Sequence, residues 1–125
     1  MNRELKFRIW DKLSKKYIYA DKGYQGHFIL DLNGRFHNLQ NGSGGDDYVV
    51  QQYTGLKDKN GVPIFEGDLV KAYLNTEEIG EITFDRGGFC FNSKSLKGTF
   101  LGIVESGFPI EVVGNIFENS ELLKQ

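Results

Sequence analysis

Apolar and polar residues alternate over short runs along most of this 125-residue chain. In residues 5–10, for example, the apolar Leu5, Phe7 and Ile9 alternate with Lys6, Arg8 and Trp10. A period of two predicts a β-strand with one buried face. Similar strand-like runs span residues 17–19, 27–32, 35–39, 48–54, 69–74, 80–84, 89–91, 99–104 and 110–117. The pattern therefore predicts an all-β fold built mainly from hairpins.

The dipeptide Asn33-Gly34 marks the strongest hairpin of the chain. It lies between two strand-like runs, and Asn and Gly tolerate the positive φ values that two-residue hairpin turns require. A two-residue turn would place Leu30 opposite His37. That register predicts a core face made of Phe28, Leu30, Leu32, His37 and Leu39.

A second hairpin is predicted around Asn60-Gly61, after a loop of a few residues that begins near Lys57. Pro63 follows, and because proline has no backbone N–H its strand should be short or lie at a sheet edge. Gly67-Asp68 then indicates a further turn that leads into the strand at residues 69–74. The middle of the chain is thus predicted to consist of successive strands joined by short turns.

The composition agrees with a single β-rich domain. The chain has 16 glycines and 2 prolines, which suits many turns, and 14% of its residues are aromatic. A chain of this length forms one domain by default. We therefore expect one domain, residues 1–125, whose main part is a small SH3-like or related β-barrel. Its expected parts are N-terminal hairpins at 1–40, a flexible glycine-rich loop at 41–47, the main barrel at 48–118 and a short C-terminal helix or tail at 119–125.

The segment with the two central turns resembles a known family signature. Residues 53–61 read Tyr-Thr-Gly-Leu-Lys-Asp-Lys-Asn-Gly, and residues 66–68 read Glu-Gly-Asp. Both closely resemble the central signature of the YopX family of phage and prophage proteins. The opening Phe-Arg-x-Trp-Asp of that family resembles residues 7–11. Its Glu-Val-x-Gly-Asn-Ile-Tyr-Glu-Asn resembles residues 111–119.

The resemblance runs in order over nearly the whole chain, with two small departures. Phe117 stands where tyrosine is usual in the family, and Ser120 stands where proline is usual. The resemblance implies a phage or prophage origin and a mostly β domain. It implies no catalytic residues, because the family has none assigned.

The residues themselves also indicate no catalytic, cofactor or metal site. In the predicted register His27 and His37 point to opposite faces of the sheet, so they could not bind one metal ion together. No nucleophile motif is visible, and the paired carboxylates lie in polar loops. Cys90 lies between two phenylalanines on a strand and is expected to be a buried core residue. We therefore expect a protein that is not an enzyme and needs no cofactor.

Aromatic side chains are the remaining candidates for function, because exposed rings can stack on bases or anchor a protein partner. Trp10 lies on the polar side of its strand and is the first candidate for an interaction surface, followed by Tyr53 and Phe36. Most of the other aromatic residues are expected to fill the core. These include Phe7, Phe84, Phe89 and Phe117.

Two functions from different classes remain, with an enzyme of unrecognised site as a third. The first is a non-enzymatic accessory protein that binds itself, as a homo-oligomer, or a phage or host protein. The second is a small-barrel protein that binds single-stranded nucleic acid in phage replication or regulation. A net charge of −2 and a calculated pI of 5.7 disfavour the second. No apolar signal segment or membrane span is visible, so a cytoplasmic location in the bacterial host is expected.

Overall fold

The computed structural model describes residues 4–19 and 28–124. His27, considered above, lies outside the described residues. The chain divides into two compact units, residues 1–52 and 53–125. The boundary falls inside the strand Tyr48–Lys57.

Strands make up 51% of the described residues and helical segments 13%, against about 20–25% strand in average domains. The strands are β1 (Phe7–Asp11), β2 (Lys16–Tyr19), β3 (Phe28–Leu30), β4 (Phe36–Asn38), β5 (Ser43–Gly44), β6 (Tyr48–Lys57), β7 (Pro63–Phe65), β8 (Asp68–Tyr73), β9 (Glu77–Asp85), β10 (Gly88–Asn92), β11 (Thr99–Phe100) and β12 (Ile110–Asn115). Helix α1 spans Leu101–Gly107, and 3-10 turns span Gly45–Asp47 and Ser120–Lys124. The predicted all-β class with a short C-terminal helix is confirmed.

In the first unit, β1 lies between β2 and the first half of β6, antiparallel to both. Ile9, Phe36 and Tyr48 form one cluster of buried apolar residues in this unit. Arg8 is also buried. Its Nε donates to Gln51 Oε1 at 2.8 Å, and its guanidinium lies 4.3 Å from the centre of the Tyr17 ring. A buried cation is stable only with such partners.

A separate three-stranded sheet, in the order β3-β4-β5, completes the first unit. Leu30 faces Phe36, not His37 as predicted. The observed turn is one residue longer than the predicted two-residue turn, so the pairing of β3 with β4 shifts by one residue. A shift of one residue exchanges the two faces of a strand. Phe36 is therefore buried, whereas Leu32 and Leu39 of the predicted core face are exposed.

The second unit contains a five-stranded antiparallel sheet in the order β11-β10-β9-β8-β12. The predicted barrel takes the form of a curled half-barrel sheet. The second half of β6 pairs with β7, which is a short edge strand, as its proline predicts. The core inside this unit consists of the buried residues Ile64, Val70, Ala72, Ile82, Phe91, Leu101, Val104 and Ile110.

Two segments differ from the sequence-based expectation. The strand predicted at residues 99–104 ends after Phe100, because Leu101 and Val104 lie one helical turn apart in α1 and are both buried. The glycine-rich segment 41–47, expected to be a flexible loop, contains β5 and a 3-10 turn. In the described part of the chain, no helix has the length and apolar character needed to cross a membrane.

The β9–β10 hairpin offers a matched pair of substitutions that tests where the core ends. Phe91 is fully buried, whereas Phe84, on the same face of the hairpin, is 55% exposed. We expect Phe91→Ala to lower the free energy of unfolding by roughly 3–5 kcal/mol. Phe84→Ala should cost about 1 kcal/mol or less, since it loses mainly the ring contact with Phe89. Urea unfolding measures both, and equal losses would contradict this placement of the core.

Candidate functional site

The turn at residues 58–62 is held by its first residue, a buried aspartate. The backbone N–H of Asp58 donates to Val62 O at 2.9 Å, and that of Gly61 donates to Asp58 O at 3.0 Å. Asp58 Oδ1 accepts the N–H groups of Asn60 and Val62, each at 2.9 Å. Gly61 has φ 81°, a conformation that glycine adopts without steric cost. The carboxylate thus satisfies the donors of its own turn.

The turn between β3 and β4 repeats this arrangement. Asp31 Oδ1 accepts the N–H of Asn33 at 2.9 Å and that of Arg35 at 3.0 Å. Gly34 has φ 80° and donates to Asp31 O at 2.9 Å. Asp31 Oδ2 lies 2.9 Å from His37 Nε2, and this hydrogen bond, with the one from the Arg35 N–H, lowers the pKa of Asp31. Both Asp-x-Asn-Gly-x segments therefore form the same turn.

Asp58 differs from Asp31 because its second oxygen reaches a strand outside the turn. Asp58 Oδ2 accepts the N–H of Val112 at 2.9 Å, and the N–H of Lys59 donates to Ile110 O at 3.0 Å. Ile110 and Val112 lie on β12, an edge strand of the five-stranded sheet. Unpaired edges invite association with other strands. The 58–62 turn therefore covers this edge with hydrogen bonds from its own atoms.

The Gly67-Asp68 turn joins β7 to β8 and fixes two further segments. Asp68 Oδ2 accepts the N–H of Phe65 at 2.8 Å. The N–H of Gly67 donates to Ile82 O at 2.8 Å, and Gly67 O accepts the N–H of Ile116 at 2.9 Å. Gly67 and Asp68 are both buried. Their role in this structure is to connect backbone segments of the second unit.

The turn after β12 is organised by two asparagine side chains. Asn115 Oδ1 accepts the N–H groups of Phe117 and Glu118, at 3.0 and 2.9 Å. Asn119 Oδ1 accepts the N–H of Asn115 at 3.1 Å. A Cβ atom at Gly114 would come within 2.6 Å of the Asn119 side chain, so glycine is required there. The side chains of Asn115 and Asn119, in the segment that resembles the family signature, therefore accept hydrogen bonds from backbone N–H groups.

The three residues expected at an interaction surface are buried in their own units. Exposed fractions are 7% for Trp10, 4% for Phe36 and 5% for Tyr53. The Trp10 ring packs on Tyr17 with 4.9 Å between centroids, and the Tyr53 ring packs on Phe65 at 5.7 Å. A buried ring cannot receive a partner, so these residues are corrected to packing residues. Alternation alone misassigned Trp10, because Arg8, Ile9 and Trp10 in β1 are all buried.

Two exposed aromatic rings, those of Phe84 and Phe100, lie instead at the turn end of the β9–β10 hairpin. Phe84 is 55% and Phe100 40% exposed. The Phe84 and Phe89 rings meet edge to face at 5.2 Å. The Phe100 ring covers Gly88, where a Cβ would lie only 2.8 Å from it. Because neighbouring strand residues point to opposite faces, rings cover both faces of this aromatic hairpin end.

Arg86 is held in the middle of the aromatic hairpin end. It forms the two-residue turn with Gly87, and both have positive φ, 52° and 80°. Such a turn usually takes Asn or Gly, and arginine is rare there. The guanidinium donates to Gly98 O, lies 3.4 Å from an Asp85 carboxylate oxygen and sits 5.6 Å from the Phe100 ring centre. The hairpin end thus presents a cation fixed against an exposed ring.

A polar groove is the second surface feature of this unit. Residues of β9, of the loop after β10 and of the C-terminal 3-10 turn enclose about 520 Å³. In it the Ser93 hydroxyl donates to Glu78 Oε1 at 2.7 Å, and the Ser95 N–H donates to the same oxygen at 3.0 Å. A hydroxyl against a carboxylate could in principle be a nucleophile and its base.

The electrostatics of this pair favour a structural role. Hydrogen bonds from the Ser95 hydroxyl, then from the Ser93 hydroxyl and the Ser95 N–H, lower the pKa of Glu78 below its ordinary value of 4.5. A general base works best with a pKa near the working pH, which requires a shift in the other direction. The contact therefore anchors the loop after β10 to β9.

In the described residues, no three His, Cys, Asp or Glu side chains lie where they could hold one metal ion. His37 is bound to Asp31, and His27 lies outside the described residues, so the relation predicted between the two histidines is not tested. Cys90 is fully buried, which confirms the prediction for this residue.

Comparisons with known proteins found a family model that matches nearly the whole chain. The model of the YopX protein family matches residues 6–124. The matched range contains all three turns built by Asp58, Asp68 and Asn115, and it contains the aromatic hairpin end. No curated protein matches the chain.

Two solved structures resemble the chain over nearly its whole length. One is the protein EF1440 from Enterococcus faecalis, with 29% identity, a TM-score of 0.64 and coverage of 98% of this chain and 99% of that one. The other is the protein yopX from Bacillus subtilis, with 24% identity, a TM-score of 0.68 and coverage of 94% and 97%. The second likeness concerns the fold alone.

The triple acceptor role of Asp58 gives a stability prediction. Asp58→Ala should lower the free energy of unfolding by roughly 2–4 kcal/mol, because the N–H groups of Asn60, Val62 and Val112 lose a charged acceptor. Asp58→Asn should cost less, since one amide oxygen remains. Asp46→Ala is the control, at an exposed aspartate, and should change stability by about 0.5 kcal/mol at most. Chemical denaturation measures the stability of the three variants. An Asp58→Ala variant as stable as the wild type would contradict the role of Asp58 as an acceptor of backbone hydrogen bonds.

The lowered pKa of Glu78 gives a pH prediction. Ser93→Ala and Ser95→Ala should each raise this pKa toward 4.5, as read by NMR titration of the side-chain carboxyl. With a pKa depressed by folding, the stabilisation is present above the unfolded value and disappears as the pH falls through the folded value. Ser106→Ala is the matched control, because its hydroxyl bonds only within α1. An unchanged titration in the Ser93 and Ser95 variants would show that they do not hold Glu78.

Proposed function

Because the chain belongs to the YopX protein family, we propose that it is a phage or prophage accessory protein that acts by binding proteins and not by catalysis. The family resemblance supports the phage or prophage origin, and with it a location in the cytoplasm of the bacterial host. The observation that carries the binding role is the exposure of Phe84 and Phe100 beside Arg86. Aromatic residues and arginine are the types enriched where proteins bind one another.

The partner we propose for the aromatic hairpin end is a second copy of the chain. The hairpin end lies next to β11, an edge strand of the five-stranded sheet. The opposite edge, β12, is covered by the Asp58 turn, which leaves β11 as the more accessible edge for pairing between copies. Two copies related by a twofold axis would bring the same rings together and remove them from water.

Binding of single-stranded nucleic acid is the second candidate, and Arg86 over Phe100 is the observation that favours it. Bases stack on exposed rings, and arginine adds a cation to such a platform. The net charge of −2 opposes it, because nucleic-acid binding depends on neutralising phosphates. We therefore rank it below self-association.

Light scattering after size exclusion tests the proposal, at low and high salt and with or without single-stranded DNA. We expect a discrete multimer without DNA. The double variant Phe84→Ser/Phe100→Ser should be a monomer, because it removes both exposed rings of the hairpin end. The control Leu13→Ser/Leu32→Ser removes two apolar side chains of the first unit that are even more exposed, and it should leave the mass unchanged.

Each other result has a stated meaning. A wild-type monomer whose mass rises only with DNA at low salt would overturn self-association in favour of the second candidate. A monomer indifferent to salt and DNA would contradict both and leave a different protein as the partner. A multimer that survives Phe84→Ser/Phe100→Ser would move the interface away from the hairpin end.

A further inference from the structure

The polar groove is built by three segments of the second unit. Its floor is the start of β9, with Glu77 and Glu78, and one side is the loop that carries Lys94 and Lys97. The other side is the C-terminal 3-10 turn. The volume of about 520 Å³ lies in the range of ligand-binding sites in proteins, about 300–1,000 Å³.

The two carboxylates of the groove already have partners within the chain. Glu77 lies 3.7 Å from the Lys71 ammonium. Glu78 accepts hydrogen bonds from Ser93 and Ser95 at 2.7 and 3.0 Å. Each carboxylate is therefore already engaged by a group of the chain itself before any ligand arrives.

The two lysines are in the opposite situation. Lys94 and Lys97 are exposed, and neither makes a hydrogen bond or a close ion pair with another residue in the part of the chain that the structure describes. The lining contains two ammonium groups and two carboxylates, and Lys71, outside the lining, lies beside one of the carboxylates. The loop that carries Lys94 and Lys97 thus presents two positive charges to the groove on a chain whose net charge is −2.

The loop that carries the lysines is fixed by its own hydrogen bonds. The N–H of Ser93 donates to Leu96 O at 2.8 Å, and the N–H of Leu96 donates to Ser93 Oγ at 3.2 Å. The N–H of Gly98 donates to Asn92 Oδ1 at 2.7 Å. A site whose shape exists before binding loses less conformational entropy when it is occupied.

The side of the groove opposite the lysines is apolar. Leu122 and Leu123 line it from the 3-10 turn, and Leu123 is exposed. A hydrogen bond from the N–H of Leu122 to Asn119 O, at 3.0 Å, holds this 3-10 turn in place. An occupant must therefore offer negative charge on one side and apolar surface on the other.

We propose that the polar groove binds an extended acidic segment of a partner protein in which acidic and apolar side chains alternate. An extended segment points successive side chains to opposite sides, so its carboxylates can face Lys94 and Lys97 while its apolar side chains face Leu123. A nucleic-acid strand fits less well, because no aromatic residue lines the groove for its bases. The proposal rests on the proposed protein-binding role but not on self-association.

The test uses the full chain and a fluorescent peptide of alternating Glu and Leu, with fluorescence anisotropy as the readout. We expect binding that weakens at high salt, and about tenfold weaker binding for Lys94→Glu/Lys97→Glu. The matched control Lys12→Glu/Lys15→Glu makes the same charge change in the turn after β1 and should bind within about twofold of the wild type. Leu123→Ser should weaken peptide binding as well, because the apolar side chains of the peptide are expected to contact Leu123. Binding at a purely electrostatic site would not depend on this side chain.

Three outcomes would overturn the proposal. The first is failure of the wild-type chain to bind the Glu-Leu peptide, or equal binding of a peptide of alternating Lys and Leu. The second is an equal loss in both double lysine variants, which would reflect net charge only. The third is tighter binding of labelled oligothymidylate that depends on Lys94 and Lys97, which would assign the groove to nucleic acid. Light scattering of the same samples reports self-association separately, so failure of one proposal leaves the other measurable.

Discussion

The second unit depends on one carboxylate that accepts three backbone N–H groups. Asp58 closes its own turn through Oδ1 and binds the edge strand β12 through Oδ2, so one side chain joins a local turn to a distant strand. Buried backbone groups must find partners, and an edge strand exposes a whole row of them. The turn meets this requirement at β12, while β11 at the other edge has no such turn over it and adjoins the exposed rings.

The same constraint explains what the short polar side chains of the family-like segments do. Asp58, Asp68, Asn115 and Asn119 all direct their oxygens to backbone N–H groups. Short polar side chains are suited to this, because they reach neighbouring backbone atoms with few rotatable bonds. Residues engaged in this way hold the framework, and surfaces able to act on other molecules must be sought elsewhere in the unit.

The sequence alone predicted what local backbone preferences decide. Both Asn-Gly turns, the short edge strand at Pro63 and the all-β class could be predicted from turn residues and alternation. The register of the β3–β4 hairpin could not, because the Asp31 side chain closes a longer turn and shifts the pairing by one residue. The exposure of individual side chains could not be predicted either. Trp10 and Phe84 lie on strands with similar alternation, and tertiary packing alone buries the first and leaves the second exposed.

The two proposed surfaces should differ in their sensitivity to salt, because their attractions differ physically. Burial of Phe84 and Phe100 is driven by the removal of apolar area from water, which salt does not screen. Attraction by Lys94 and Lys97 acts between exposed charges, which are largely screened beyond about 8 Å at physiological ionic strength. A protein that carries both surfaces can keep its copies together through the rings while it exchanges an acidic partner at the groove. The division of the exposed surface into an aromatic part and a cationic part is therefore itself an argument for two kinds of contact.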